Sequence, residues 1–299
     1  MATFDYSTAL KPTGNLRRRK AVDRFMRWGC TLAAIIAVGV LLLFIISIVQ
    51  RGAGVISWGF LTKNPSEAFG FNTPVGGIGN AIVGTALIVG VATLLALPSG
   101  VLIALFLVEL APPRLANPIR LALDLLYGMP SIVIALFLYG LLVVGGSQRG
   151  VYASFALALI MVPLIARTAG ESLQLVPQEL RDASHALGVS RWRTTLGITL
   201  PSSLGGILTG TVLAIARAAG ETAPVLFLSN LAPTTTTSAA VFTQPLNNIP
   251  YDIFNFSEEG GTVNFEKAWG AALVLVAFVL VANVVARALH ARSRRMMSR

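Results

Sequence analysis

Arg217 and Glu221 stand four residues apart in the stretch IARAAGETAPVLF, whose other residues are apolar or small. On a helix that spacing places both side chains on one face, where they can pair. An arginine in such a place carries a permanent charge on a planar fork, suited to grip a phosphate-like oxyanion through two parallel hydrogen bonds. Two roles fit the pair. It is a structural ion pair, or it is an anion site or gate in which Glu221 holds Arg217 and releases it when the anion arrives. Arg167, with Glu171 one turn on, repeats the pattern. It is either a second anion contact or a long side chain snorkelling toward the surface.

Other chemistries find little material. Cys30 is the single cysteine, which excludes an internal disulfide and a cysteine-based metal cluster. His185 and His290 are the two histidines, and no H-E-x-x-H occurs to support a zinc protease. The lysines are Lys11, Lys20, Lys63 and Lys267, and none follows glycine in a phosphate-cradling loop, so the chain has no ATPase site of its own. The residues form no catalytic or metal-binding constellation, and no cofactor is expected in this chain.

The elements that must position these charges span a membrane. Of 299 residues, 55% are hydrophobic and 12% charged, against about 25% charged in soluble domains; mean hydropathy is +0.73. The run 30–49 holds twenty residues without a charge, about 30 Å of helix and the thickness of a bilayer core. With its flanks (28–50) it predicts an uncleaved first span, because the basic region before it is too long for a signal peptide. Further spans are predicted from about residue 78 to Ala111-Pro112-Pro113, over 121–144, over 151–168, from after Pro201 to about Leu228, and over 268–286. The expected fold is thus an all-α membrane protein of six transmembrane helices. Arg217 would lie about 20 Å into the fifth span, where insertion of an arginine costs about 2.5–3.5 kcal/mol and needs an offsetting interaction.

The net charge of +10 follows from topology. Eighteen of the 23 basic residues fall in the tail 1–27, the loop after span two, the segment from Arg167 to span five, and Arg287 with the tail 288–299. By the positive-inside rule both termini are cytoplasmic, and the tails are drawn to anionic membrane lipid. No nucleic-acid partner is expected, since no recognition fold accompanies the basic tails.

The segment 176–201, VPQELRDASHALGVSRWRTTLGITLP, is the one sizeable cytoplasmic connection between spans. Residues 178–187 predict a helix with Glu179 and Asp182 in its first turns, favourable to the macrodipole. Gly188 supplies a left-handed stop, and Ser190 can cap a second helix running through Trp192 toward Leu200. Composition alone also fits an amphipathic connector lying on the headgroups with Trp192 as anchor. The spacing Asp182-Ala183-Ser184, Gly188, Ile198-Thr199-Leu200-Pro201, however, resembles the EAA motif of binding-protein-dependent ABC importer permeases, with Asp182 and Ser184 in place of Glu and Ala. The resemblance implies a coupling helix that docks in a groove of a separate ATP-hydrolysing subunit, with Asp182, Ala183, Ser184 and Gly188 as its contact core.

A second string extends the resemblance. Arg217-Ala218-Ala219-Gly220-Glu221-Thr222-Ala223-Pro224 is similar to the R-A-x-G-E-T-A-P signature of phosphate permeases of the PstA type, and Gly128-Met129-Pro130-Ser131-Ile132-Val133 is also family-like. The similarity covers residues 76–287, the expected permease domain. It implies the type I ABC importer permease fold in the bacterial cytoplasmic membrane, with transport-linked charges at Arg217, Glu221 and Arg167. The implied partners are a homologous second permease (PstC type), a dimer of ATP-binding subunits (PstB type) that uses ATP and Mg, and an extracytoplasmic phosphate-binding protein. Sulfate or molybdate as cargo, or an ATP-independent anion transporter, are the alternatives.

Two features stay open at this level. Gly206 and Gly210 form a small-xxx-small pair for close helix contact, with no partner assigned. The loop 230–267 carries Asp252, Glu258, Glu259 and Glu266 and the polar run Thr234 to Thr237. It is expected to be external, as a docking surface for a binding protein or simply a solvated loop.

Overall fold

In the computed structural model, residues 16–64, 76–229 and 240–297 are described. Lys11, Arg299 and the polar run Thr234 to Thr237 lie outside the described residues. Five helices are long and apolar enough to cross a membrane, and a bent helix pair brings the number to six. No strand occurs among the described residues.

Two compact units divide between Gln50 and Arg51. The first is built on α1 (Leu16–Gly52), whose side chains Leu32, Ile35, Leu43 and Phe44 are exposed. Such a helix is at home where lipid is the solvent.

In the second unit α2 (Trp58–Thr62) is capped by Ser57, whose Oγ accepts from Phe60 N at 3.1 Å. It is followed by α3 (Gly79–Leu105), which widens into a π turn at Phe106–Leu110. Next come α4 (Pro113–Gly128), α5 (Ser131–Leu142) and α6 (Gly150–Gln174). The connection after α6 holds α7 (Gln178–Ala186) and α8 (Arg191–Thr194). A π turn at Thr195–Thr199 joins α8 to α9 (Leu200–Ala219), and α10 (Ala223–Leu228) follows. The chain closes with α11 (Ala240–Thr243), α12 (Ile249–Glu259) and α13 (Thr262–Met297).

The core centres on α6, of whose apolar window 67% is buried. Small residues on α3 (Ala92, Ala96, Ala104) and on α6 (Ala156, Ala166, Ala169) are fully or almost fully buried, and a Cβ at Gly100 would lie 2.8 Å from the Ile165 side chain. Close-packed backbones of this kind have no slack and move together. The partner of Gly206 and Gly210 is now clear: a Cβ on either would collide with Ser172 or Thr168 of α6. The small-residue stripe therefore seats α9 on α6 within this chain.

Several expectations are corrected. The third span is not a single straight helix from residue 121: α4 starts at Pro113 and meets α5 at a bend of 99°. Met129 is extended at the bend (ψ 133°), because a residue before proline is driven out of the helical region, and Pro130 (ψ 132°) is non-helical as well. Hydropathy counts apolar residues along the chain and is blind to that change of direction. The fourth span runs on to Gln174. The fifth span does not begin after Pro201; Arg191 to Ala219 is one continuous span. Proline lacks the N–H that would bond the carbonyl four residues back, and the π turn at Thr195–Thr199 lies just before Pro201 and keeps the helix running. Its far end is broken at Gly220–Thr222 instead of continuing to Leu228. In α13 Lys267 lies inside the span and is buried rather than flanking it.

The loop after α10 is not simply solvated either. Leu246, Asn248, Ile249 and Asp252 are all buried. Polar groups fix this wedge: Leu246 N donates to Ser229 Oγ at 2.6 Å, Ile249 N to Thr85 Oγ1 at 2.9 Å, and Asn248 Nδ2 to the Glu221 carbonyl at 3.0 Å. Asn248 Oδ1 also caps α12 by accepting from Tyr251 N at 2.8 Å. Buried backbone donors must find partners, and here side chains of α3 and of the segment after α10 supply them.

Candidate functional site

Arg217 sits in the last turn of α9, where the helix dipole favours a cation. The helix stops two residues later. Gly220 is a poor helix former, and Pro224, placed in the first turn of α10, has no N–H to offer the Gly220 carbonyl. Glu221 thus lies in the break itself, and its carbonyl is taken by Asn248 of the wedge. Arg217 Nε and Glu221 Oε1 are 3.6 Å apart, with the side chains 35% and 17% exposed. That separation exceeds the hydrogen-bond range of about 2.7–3.2 Å: the two charges attract without being locked. The guanidinium also lies over the Tyr127 ring, 5.2 Å from its centre, a cation–π contact that orients it.

Tyr127 borders a second centre. It lines a cavity of about 190 Å³ together with Arg120, Asp124, Arg167, Glu171 and Gln174. Arg167 Nε donates to Glu171 Oε1 at 3.2 Å, and both side chains are well exposed. That exposure accords with a surface-reaching arginine or with a contact on an open path. No ion pair links the Arg167–Glu171 pair to the Arg217–Glu221 pair among the described residues; Tyr127 is the element common to both centres. Nothing in the sequence spacing singled out Tyr127.

The motif segment forms the expected knuckle, with one difference. Gly188 has φ +76° and no atom near a would-be Cβ, so its requirement is conformational. Val189 N donates to Ser184 O at 3.2 Å and Gly188 N to His185 O at 2.9 Å, the paired bonds of a Schellman stop. Ser190, however, makes no side-chain cap to α8. The two helices are joined instead by Ser184 Oγ and Thr194 Oγ1, buried and 2.8 Å apart. Asp182, Ala183 and Gly188 are exposed, with Asp182 at the edge of a groove toward Glu109 and Leu110, whereas Ser184 is buried in the knuckle. Leu187, 84% exposed, is an apolar side chain on this outer surface that the motif did not flag.

Behind the knuckle lies an ion pair that spacing could not predict, since its members are 72 residues apart. Arg181 Nη1 meets Glu109 Oε1 at 2.6 Å, with the side chains 12% and 16% exposed. Arg181 Nη2 donates to the Leu173 carbonyl at 2.7 Å, and Nε is buried without a hydrogen-bond partner. The only sequence signal was Glu109 as the first charge after a long uncharged run.

Outside the spans, Asp252 is buried in the wedge, and loss of hydration pushes its carboxyl up to about 7. A hydrogen bond from Asn247 Nδ2 at 3.2 Å opposes that rise and the charge of Glu259 adds to it. Its Oδ2 has no hydrogen-bond partner.

Residues 96–298 match the family described as binding-protein-dependent transport system inner membrane component. The chain is 40% identical over 225 residues to the phosphate transport system permease protein PstA of Yersinia pestis, covering 75% of each chain. It is 34% identical over 287 residues to PstA of Haemophilus influenzae, covering 93% of this chain and 98% of that one. Among solved structures, a permease chain of a bacterial alginate ABC transporter superposes with a TM-score of 0.61 at 20% identity, over 93% of this chain and 97% of that one. The MetNI methionine ABC transporter in an inward-facing conformation gives 0.61 at 15% identity, over 71% and 94%. These two share the type I ABC importer permease fold with the present chain. By sequence and by fold, the chain belongs to the family of binding-protein-dependent transport system inner membrane components.

Proposed function

We propose that this chain is the permease subunit of an ATP-driven importer of inorganic phosphate, forming part of the translocation path and coupling it to a separate ATPase. The observation that carries the proposal is Arg217: a half-exposed arginine at a helix break, oriented by Tyr127 and only loosely held by Glu221. Such a group can exchange a carboxylate partner for a passing oxyanion at little cost, and its fork matches phosphate. The likeness to proteins named as phosphate permeases supports phosphate as the cargo.

In this account both termini and the α7–α8 knuckle face the cytoplasm, where the basic residues concentrate. Asp182, Ala183, Gly188 and the exposed Leu187 meet an ATP-binding dimer of the PstB type, which hydrolyses ATP with Mg; this chain itself performs no catalysis. A second permease of the PstC type completes the bundle, and an extracytoplasmic phosphate-binding protein delivers the anion. ATP binding closes the dimer, moves the knuckle and opens the bundle outward; hydrolysis lets it return. Reversing the inward and outward populations from 1:99 to 99:1 requires about 5.5 kcal/mol of differential binding. Phosphate passes Arg217 at the helix break and then the cavity of Arg167.

Radiolabelled phosphate uptake by the complex reconstituted in liposomes, competed with sulfate and molybdate, tests the proposal. Uptake that requires ATP and resists both competitors supports it. Uptake displaced by sulfate or molybdate reassigns the cargo, and uptake without any ATP-binding subunit removes the importer account.

A further inference from the structure

We infer that Arg181 is a positioning residue that fastens the coupling helix to the transmembrane bundle, gripping the ends of α3 and α6 at once. The inference rests on the reading of α7 as the segment an ATPase moves. Between the knuckle and the end of α3 lies a groove of about 480 Å³, walled by Leu105, Glu109 and Leu110 on one side and by Gln178, His185 and Trp192 on the other. Arg181 reaches across it. Its Nη1 meets Glu109 Oε1 at 2.6 Å in the π turn that ends α3, and its Nη2 donates to Leu173 O at 2.7 Å in the last turn of α6.

Both acceptors are suited to a cation. One is a carboxylate; the other is a carbonyl at the negative end of a helix, which accepts from Val176 N at 3.3 Å and keeps a lone pair for the cation. The two bonds leave the guanidinium in different directions, a geometry its rigid fork supports and a lysine ammonium does not reproduce. The clamp has consequences because of what it holds. On one side the knuckle is continuous with α9 through α8 and the π turn at Thr195–Thr199. On its other side, Arg181 joins α7 to α3 and α6, which are close-packed with each other, and α6 in turn seats Gly206 and Gly210 of α9. A displacement of α7 therefore reaches α6, which carries Arg167, through the clamp, and α9, which carries Arg217, through the backbone.

The test is a double-mutant cycle on the reconstituted complex, with Arg181→Met, Glu109→Gln and the combination, measuring ATP hydrolysis and radiolabelled phosphate uptake in parallel. Each single variant is expected to keep the ATP-binding subunit bound. Phosphate moved per ATP should fall about tenfold, inside the 5–150-fold range of ordinary coupling energies. The double variant should lose no more than the worse single variant, because the two residues act as one unit. Unchanged phosphate per ATP in assembled single variants overturns the inference. Multiplicative losses in the double variant overturn it too, as does release of the ATP-binding subunit by Arg181→Met. Glu109→Gln keeps size and an acceptor, so it reads out even where Arg181→Met fails to fold. Gly188→Val in the same preparation tests the underlying reading separately: if neither binding of the ATPase nor its coupling changes, that reading falls, whatever Arg181 does.

Discussion

Two arginine–glutamate pairs in this chain are built oppositely. Arg217 and Glu221 are neighbours in sequence, lie at a helix break, and stand 3.6 Å apart with the arginine 35% exposed. Arg181 and Glu109 are distant in sequence, are joined at 2.6 Å, and are 12% and 16% exposed. The first pair has an aromatic ring as its other support, the second a backbone carbonyl. The difference fits the role proposed for each. A loosely held cation can change partners and so can handle an anion; a tightly held one transmits position and must not let go.

Removing each arginine's function by a different route would break that comparison if it is wrong. The largest effect is expected for Arg217→Ala on transport. Two charge-assisted hydrogen bonds to the anion, at about 1.5–3 kcal/mol each, correspond to a loss of phosphate uptake of roughly a hundredfold or more. The same variant should change thermal stability little, because a pair held at 3.6 Å with its arginine partly exposed contributes about 0–1 kcal/mol. Glu109→Ala should behave in the reverse sense. Stranding Arg181 in its closed site should cost about 3–5 kcal/mol of stability, read as a lowered melting temperature of the detergent-solubilised protein. Equal stability losses at the two sites would dissolve the distinction.

Asp252 sharpens the comparison from another side, as a buried carboxyl with no cation beside its free Oδ2 among the described residues. Its folded value, about 7, stands above the ordinary 3.8. The folded state therefore binds the proton more tightly than the unfolded chain, and stability falls as pH rises between those values. Asp252→Asn should remove that slope. The variant should gain over the parent by about 1.4 kcal/mol per pH unit between pH 4 and 7, then hold a constant advantage above pH 7. Parallel melting curves across that range would mean that Asp252 is paired after all. The smallest effect is expected at Ser184→Ala, which restores the alanine of the EAA motif and removes the bond to Thr194. A loss of about 1 kcal/mol is expected, with docking of the ATPase retained.

What the residues disclosed in advance follows from how local each feature is. Membrane residence and the helical class came from a shortage of charge, a property of composition. Gly188 was legible because a left-handed stop is a demand of one residue's own backbone, and the observed φ of +76° meets it. The pairing of Arg217 with Glu221 was legible from spacing, although the break between them was not, since it depends on Gly220 and Pro224 acting together. Features built from distant segments stayed hidden. The Arg181–Glu109 clamp unites residues of separate helices, and the wedge at 246–252 has a loop's polar composition yet is buried because Ser229 and Thr85 accept its backbone N–H groups. The bend at Met129-Pro130 escaped for a different reason: an apolar count does not register direction.

The central claim is that Arg217 exchanges Glu221 for the transported anion. A structure of the assembled complex with phosphate trapped in the bundle tests it most directly. The account predicts a phosphate oxygen about 3 Å from the Arg217 guanidinium, the Tyr127 ring still beside it, and the Glu221 carboxylate displaced beyond 3.6 Å. A phosphate bound elsewhere in the path, with Arg217 still paired to Glu221, would contradict it.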